Sequence, residues 1–237
     1  MRALSAISFF LALAPLLALI LLGQSGLAPM MHNPVWVAAA LRTLLIAEAS
    51  VPLALLLAVP AALSLWGAPL ATRRAVIAVC ALPILVPPTW SAAGLQFAAD
   101  HAGVRDAHVA ALIAAHAAPA ASLAFLVIYG FMSFADPVLL RAAAASGASP
   151  LRAWRMVVLP HLLMAIVVAA AAAFVAAVGL AVVDTTLAPA FHPTLGAMLV
   201  VALRTADSQA ASAGLVLALL ALGPIGVVWC LSLLRRV

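Results

Sequence analysis

Long apolar runs, each near the length that crosses a bilayer, follow one another along almost the whole chain. They are Ala3 to Leu22, Thr43 to Trp66, Ala75 to Phe97, His108 to Met132, His161 to Val183 and Ala210 to Leu234. A soluble fold would have to cover such runs with polar surface. Of the 237 residues 68% are hydrophobic and only 7% charged, so that surface does not exist. These numbers exclude a soluble globular enzyme, a disordered chain and a nucleic-acid-binding domain. They predict an all-α, polytopic helical bundle of about six transmembrane helices, a single transmembrane domain over residues 1–237, with the lipid bilayer as its solvent. A cleaved signal peptide competes for the first run. That run is long for one, no small-x-small cleavage site follows it, and the rest of the chain is equally apolar. A retained helix is therefore expected.

The arginines predict direction. The chain has no lysine, eleven Arg and six acids. In a soluble chain this balance would point to nucleic acid; between apolar runs it points to topology. With the N-terminus inside and the runs alternating, Arg2, Arg73, Arg74, Arg141, Arg152, Arg155, Arg235 and Arg236 fall inside. Arg42, Arg105 and Arg204 fall outside. Both termini are then expected inside. The stretch from Leu187 to Arg204 is too short in its apolar part, Leu195 to Leu203, to span. It is expected at the outer surface or tucked against the bundle. Cys80 and Cys230 lie in apolar runs and read as small hydrophobes; no CxxC or Cys/His cluster predicts a disulfide or a metal site.

The longest inside loop, Phe134 to Pro160, carries most of the information. Asp136-Pro137 reads as an N-cap followed by proline at the first helical position. The alanine-rich stretch from Val138 to Ser146 follows, and Gly147 suits the left-handed residue that ends a helix. Ser149-Pro150 repeats the start signal. A second short helix is expected over Leu151 to Val158, closed by Leu159-Pro160. The apolar Leu151, Trp154 and Val157 exceed what a solvated loop wants, so the helix pair is a candidate docking element; a pair lying on the membrane surface is the other possibility.

Arg141-Ala142-Ala143 through Gly147 to Val157-Val158-Leu159-Pro160 resembles the EAA loop of binding-protein-dependent ABC importer permeases. That motif reads Glu-Ala-Ala, three residues, Gly, nine residues, Ile-x-Leu-Pro. Ala142, Ala143, Gly147, Leu159 and Pro160 match at the motif's spacing. Arg141 stands where the motif has Glu, and Val157 where it has Ile. Ala148, Ser149, Pro150, Arg152, Trp154 and Arg155 are similar in character to the residues around that glycine. The resemblance extends from about the second run to the C-terminus and includes Ala81-Leu82-Pro83 with Pro87-Pro88. It implies that the loop is a coupling helix seated on a cytosolic ABC ATPase subunit. It further implies a second permease subunit, either paralogue or copy, an extracytoplasmic substrate-binding protein, and a home in a prokaryotic cytoplasmic (inner) membrane. No cofactor would bind this chain directly, because ATP would be handled by the partner; accordingly the chain has no GxxxxGK[ST]. No catalytic residue is expected.

Two other classes deserve a comparison. A rhomboid-like intramembrane protease needs a GxSG turn, and Ala144-Ala145-Ser146-Gly147 lacks the first glycine. A secondary transporter often shows an internal repeat, and none is visible between the halves. Candidates for a translocation path come from polar residues and helix breakers inside the runs. Glu48 and His116 each lie about two turns into a run, and Asp184 closes the fifth. All three are expected in the outer half. Glu48 has a simpler role available, pairing with Arg42 or with a backbone donor as internal glue. Pro87 and Pro88, with Pro83, interrupt the third run and are expected to face the bundle interior where it bends, either as a packing kink or as a lining of the path.

Overall fold

The computed structural model describes residues 18–102, 108–135, 137–187 and 192–234, and these residues are helical apart from turns. Helix α1 covers 18–32. It is followed by α2 (Pro34–Ser64), α3 (Leu70–Leu85), α4 (Pro88–His101), α5 (His108–Ser133), α6 (Pro137–Ala145), α7 (Pro150–Val178), α8 (Ala181–Leu187), α9 (Leu195–Arg204) and α10 (Ala210–Leu234). Four of them contain a stretch long and apolar enough to cross a membrane: α2, Val109–Ser133 of α5, α7, and Ala210–Trp229 of α10. The pair α3 and α4 makes a fifth if counted as one broken span. The protein is thus a helical bundle with the lengths of a multi-pass membrane protein. Most of the first apolar run lies outside the described residues.

The bundle is built on α2, α5 and α7. Their shared seam is lined by small side chains one turn apart: Ala54, Ala58 and Ala62 on α2, Ala120 and Ala124 on α5, Ala165, Ala169 and Ala173 on α7. Small residues at such spacing let helix backbones approach closely, which is how helices associate where lipid removes the hydrophobic driving force between them. Larger side chains, Phe125, Ile128, Met132 and Leu162, fill the seam toward one end. Helix α1 packs on α10 in the same way. Ser212 Oγ donates to the Gly23 carbonyl at 2.8 Å, and the backbone carbonyl of Ala211 would lie 2.7 Å from a Cβ at Gly23.

Three expectations change. The third run is broken and not merely kinked. It breaks into α3 and α4 with an 88° bend. Pro83 stays inside α3, Pro87 precedes α4 and Pro88 is its first residue. Pro87 and Pro88 are exposed rather than turned into the bundle. Two consecutive prolines remove two donors and force the preceding residue out of the helical region, and Val86 accordingly is extended at φ −75°, ψ 128°. Second, the short helix expected over Leu151 to Val158 is continuous with the fifth span; α7 runs unbroken through Pro160. The carbonyl that Pro160 leaves without a helical partner belongs to Met156, which is exposed, so polar surroundings can serve it. Third, that span stops at Val178, Gly179 caps it, and Asp184 lies within the separate α8.

The bundle has two distinct ends. Trp66 Nε1 donates to the Ala135 carbonyl at 3.3 Å, joining the end of α2 to the end of α5. Arg73 Nε donates to Ala68 O at 2.7 Å at this same end, where α6 and the start of α7 also lie. The start of α2, the first turns of α5, and α8, α9 and the start of α10 form the other end. There α9 is tucked against α2, α8 and α10.

Candidate functional site

At the α6–α7 end the backbone follows the capping signals closely. Gly147 has φ +83°. Its N–H donates to Ala144 O at 3.0 Å and the Ala148 N–H donates to Ala143 O at 3.1 Å. These two bonds close the C-terminus of α6 as a Schellman motif, which requires a left-handed residue at the glycine. Nothing lies within 4 Å of where a Cβ on Gly147 would stand, so the demand for glycine is one of backbone angle and not of space. Two residues later Ser149 caps α7, its Oγ accepting from the Arg152 N–H at 3.4 Å, and Pro150 takes the first helical position. The Asp136 cap expected for α6 lies outside the described residues.

This hinge holds α6 against the base of α7 and sorts the side chains. Trp154 and Leu140 are half-buried and pack on the central core. Ala153 and Val158 are buried. Arg141, Ala142, Arg152 and Arg155 are exposed, together with Leu139, Leu151 and Met156, while Ala143, Ala148 and Leu159 are half-buried. Among the described residues no acid lies within ion-pair distance of these arginines. The Ser146 hydroxyl donates to Ala143 O at 2.8 Å within its own turn.

The other end is polar inside. His116 and Asp184, 68 positions apart in sequence, meet with Nε2 3.1 Å from Oδ1 and are 2% and 3% exposed. His116 Nδ1 is 2.8 Å from the Leu112 carbonyl. A carbonyl only accepts, so Nδ1 is the donor in that bond. Nε2 then faces Asp184 favourably when one further proton lies between the two side chains. Oδ1 has no donor in hydrogen-bond alignment, so the contact is a close approach and not an aligned hydrogen bond. The other oxygen, Oδ2, lies against Gly196, where a Cβ would come within 2.5 Å of it. Gly196 is in the first turn of α9, so the carboxylate sits at the positive end of that helix.

Two residues of α2 fasten the start of α9: Thr43, which the sequence patterns did not single out, and Arg42, expected only as an outside charge or a partner of Glu48. Thr43 Oγ1 accepts from the Leu195 N–H at 2.9 Å and donates to Ala39 O at 3.2 Å. Arg42 reaches the Pro193 carbonyl at 3.1 Å. Thr194 caps α9, accepting from the Ala197 N–H at 3.2 Å. A cavity of about 510 Å³ opens beside this cluster, lined by Trp36, Asp184, Thr185, Met198 and Asp207 among others.

Glu48 belongs to neither end. Helix α2 begins at Pro34 and not near Thr43, so Glu48 falls at the helix midpoint and not two turns from its start. It does not pair with Arg42 or with any other described residue. It is exposed, on an open groove of about 430 Å³ between α2, α7 and α10. The structure therefore joins His116 to Asp184 and leaves Glu48 and the Pro87-Pro88 pair outside that contact. No family model and no curated protein matches the chain.

Proposed function

We propose that this chain is the permease subunit of an ATP-driven ABC importer. In this reading it forms part of the translocation pathway and couples to a separate cytosolic ATPase through α6 and the start of α7. The observation that supports it most is the Gly147 hinge. At the motif's glycine backbone bonds close the short α6, and three residues later a capped helix long enough to span begins. That α7 is continuous from its exposed first turn into the membrane strengthens the mechanical argument: a push on Arg152 or Leu151 acts on a rigid rod, with no flexible joint to absorb it. The exposed arginines and apolar side chains give the partner both charge and contact area.

The remaining parts of the reading follow from it. The span count is six, including the N-terminal run and the bent α3–α4 pair, with both termini cytoplasmic. The complex contains a second permease subunit and an extracytoplasmic substrate-binding protein in a prokaryotic cytoplasmic membrane. ATP is bound by the ATPase and not by this chain. The cluster of α8 and α9 then faces outward, where a substrate-binding protein would dock. A secondary transporter is the second reading, favoured by the bent pair α3–α4, since discontinuous helices are common there.

Purification of the tagged chain from its native membrane tests the proposal. The expected result is co-purification of an ATPase, lost in Gly147→Val. A chain that transports in liposomes with no ATPase present would overturn it in favour of the second reading. Orientation is tested with a cysteine at Ser149 in a chain lacking Cys80 and Cys230. Impermeant maleimide added to intact cells should leave it unlabelled, and efficient labelling would invert the topology.

A further inference from the structure

We propose that Glu48 is a cation-binding residue of the translocation pathway, and that the transported substrate therefore carries a positive charge, as an ammonium or a metal ion. This rests on the permease reading. The argument starts from depth. Glu48 lies at the middle of the 31-residue α2, the position farthest from water at either end if α2 spans. A carboxylate there is costly unless something neutralises or hydrates it, and such residues characteristically face a cavity or a partner.

Among the described residues nothing pairs with it. All eleven arginines stand at or beyond the ends of the apolar runs, and there is no lysine. Arg42, nearest in sequence, is engaged with Pro193. A second copy of the same chain would bring no arginine to this depth either, because its arginines stand at the same ends. The surroundings do not invite an anion or a neutral donor-seeking group. Around Glu48 the groove is lined by Val51, Ile166, Ala170, Ala171, Pro224 and Val227, with no side-chain hydrogen-bond donor on its lining. Pro52, one turn on, has no N–H for the Glu48 carbonyl, which leaves a second acceptor on the same turn. Ala170 and Ala171 contribute only small side chains to the groove that Glu48 lines. An apolar groove whose polar groups are acceptors, with an unpaired negative charge, is complementary to a desolvated cation and to little else.

Carbodiimide modification of Glu48 tests this in the native complex. N,N′-dicyclohexylcarbodiimide reacts with carboxyl groups reached from apolar surroundings, and the adduct is located by mass spectrometry of the α2 peptide. Tetramethylammonium, 1,4-diaminobutane and Mg²⁺ are the competing probes, with sodium sulfate at matched ionic strength as control. The expected result is saturable protection by at least one cation. A probe at ten times its Kd should slow labelling about tenfold, and sulfate should not. Glu48→Gln should abolish labelling while leaving membrane abundance unchanged. Labelling at one rate under all conditions would overturn the proposal, because the carboxyl would then face lipid as the neutral acid. No labelling with or without cations, with Glu48 cross-linked to a neighbouring subunit, would overturn it equally, because a partner's cation would already occupy the site. ATPase capture is scored separately. Its presence without cation protection keeps the permease reading and rejects the cation, whereas protection without an ATPase does the reverse.

Discussion

The two ends of the bundle use their polar groups in opposite ways. At the α8–α9 end the polar groups turn inward: Thr43 and Arg42 bond the start of α9 to α2, His116 closely approaches Asp184 between helices, and Thr194 caps α9. At the α6–α7 end the polar side chains that shape the backbone are local, Ser149 above all, and Arg141, Arg152 and Arg155 are left on the surface beside exposed Leu139, Leu151 and Met156. One end spends its hydrogen-bonding capacity on the fold; the other shapes a short helix pair and leaves its charges available. Substitutions at the first end should therefore act on stability, and at the second on association.

The largest effect expected is at the buried pair. His116→Ala leaves the Asp184 carboxylate buried without its partner, and breaking such a pair costs about 3–5 kcal/mol. The apparent unfolding temperature of the detergent-purified protein should fall by several degrees or more. The double variant His116→Leu with Asp184→Leu should recover much of the loss, because it removes the stranded charge. An unchanged unfolding temperature in His116→Ala would show that the pair does not hold this end.

Thr43→Val comes next. It keeps the shape and leaves the Leu195 N–H without its acceptor, at a cost of about 1–3 kcal/mol for a buried donor. Hydrogen exchange should quicken at the start of α9 and not in α6. Equal acceleration at both places would mean that the two ends do not behave as separate units.

Gly147→Val moves the comparison to the other end. The left-handed angle costs a β-branched residue about 1–2 kcal/mol, confined to the α6–α7 turn. Membrane abundance and the unfolding temperature should hold while ATPase capture is lost. Gly147→Asn, which tolerates that angle and meets open space, should retain much of the capture. If Gly147→Val destabilises the whole bundle as much as His116→Ala does, the division of labour fails.

Arg141→Ala should do least. The side chain is exposed and without an ion pair among the described residues, so the change in stability should stay within about 0.5 kcal/mol. A modest loss of ATPase capture with normal abundance would sharpen the docking role. Abolished capture would place Arg141, and not the Gly147 hinge, at the centre of the contact.

Much of the fold is local, and that part was legible. His108 to Met132 and Ala210 to Leu234 were expected as spans, and the helices run His108–Ser133 and Ala210–Leu234. Run length and flanking breakers suffice there, because a helix in an apolar medium must satisfy its own backbone. The turn at Gly147 and the cap at Ser149-Pro150 were also legible, since each needs only a few neighbouring residues. Pro160 was misleading: a proline signals a helix end, yet its single freed carbonyl lies on an exposed turn and α7 continues. At Pro87-Pro88 the break was expected, while its angle and its outward direction depended on how α4 settled on α5 and α8.

The sequence by itself determined that this chain is a bundle of apolar helices, where most of them lie, and that a capped, glycine-hinged helix pair punctuates them. Only the tertiary structure decided that His116 meets Asp184, that α9 is tied to α2 through Thr43, and that Glu48 stands unpaired at mid-helix on an open groove. The physical reason is range. Hydropathy, capping and left-handed turns are settled within a few residues of chain, whereas a buried side-chain contact or an unpartnered carboxylate depends on which helix faces come together, and in this alanine-rich chain many faces look alike until they pack.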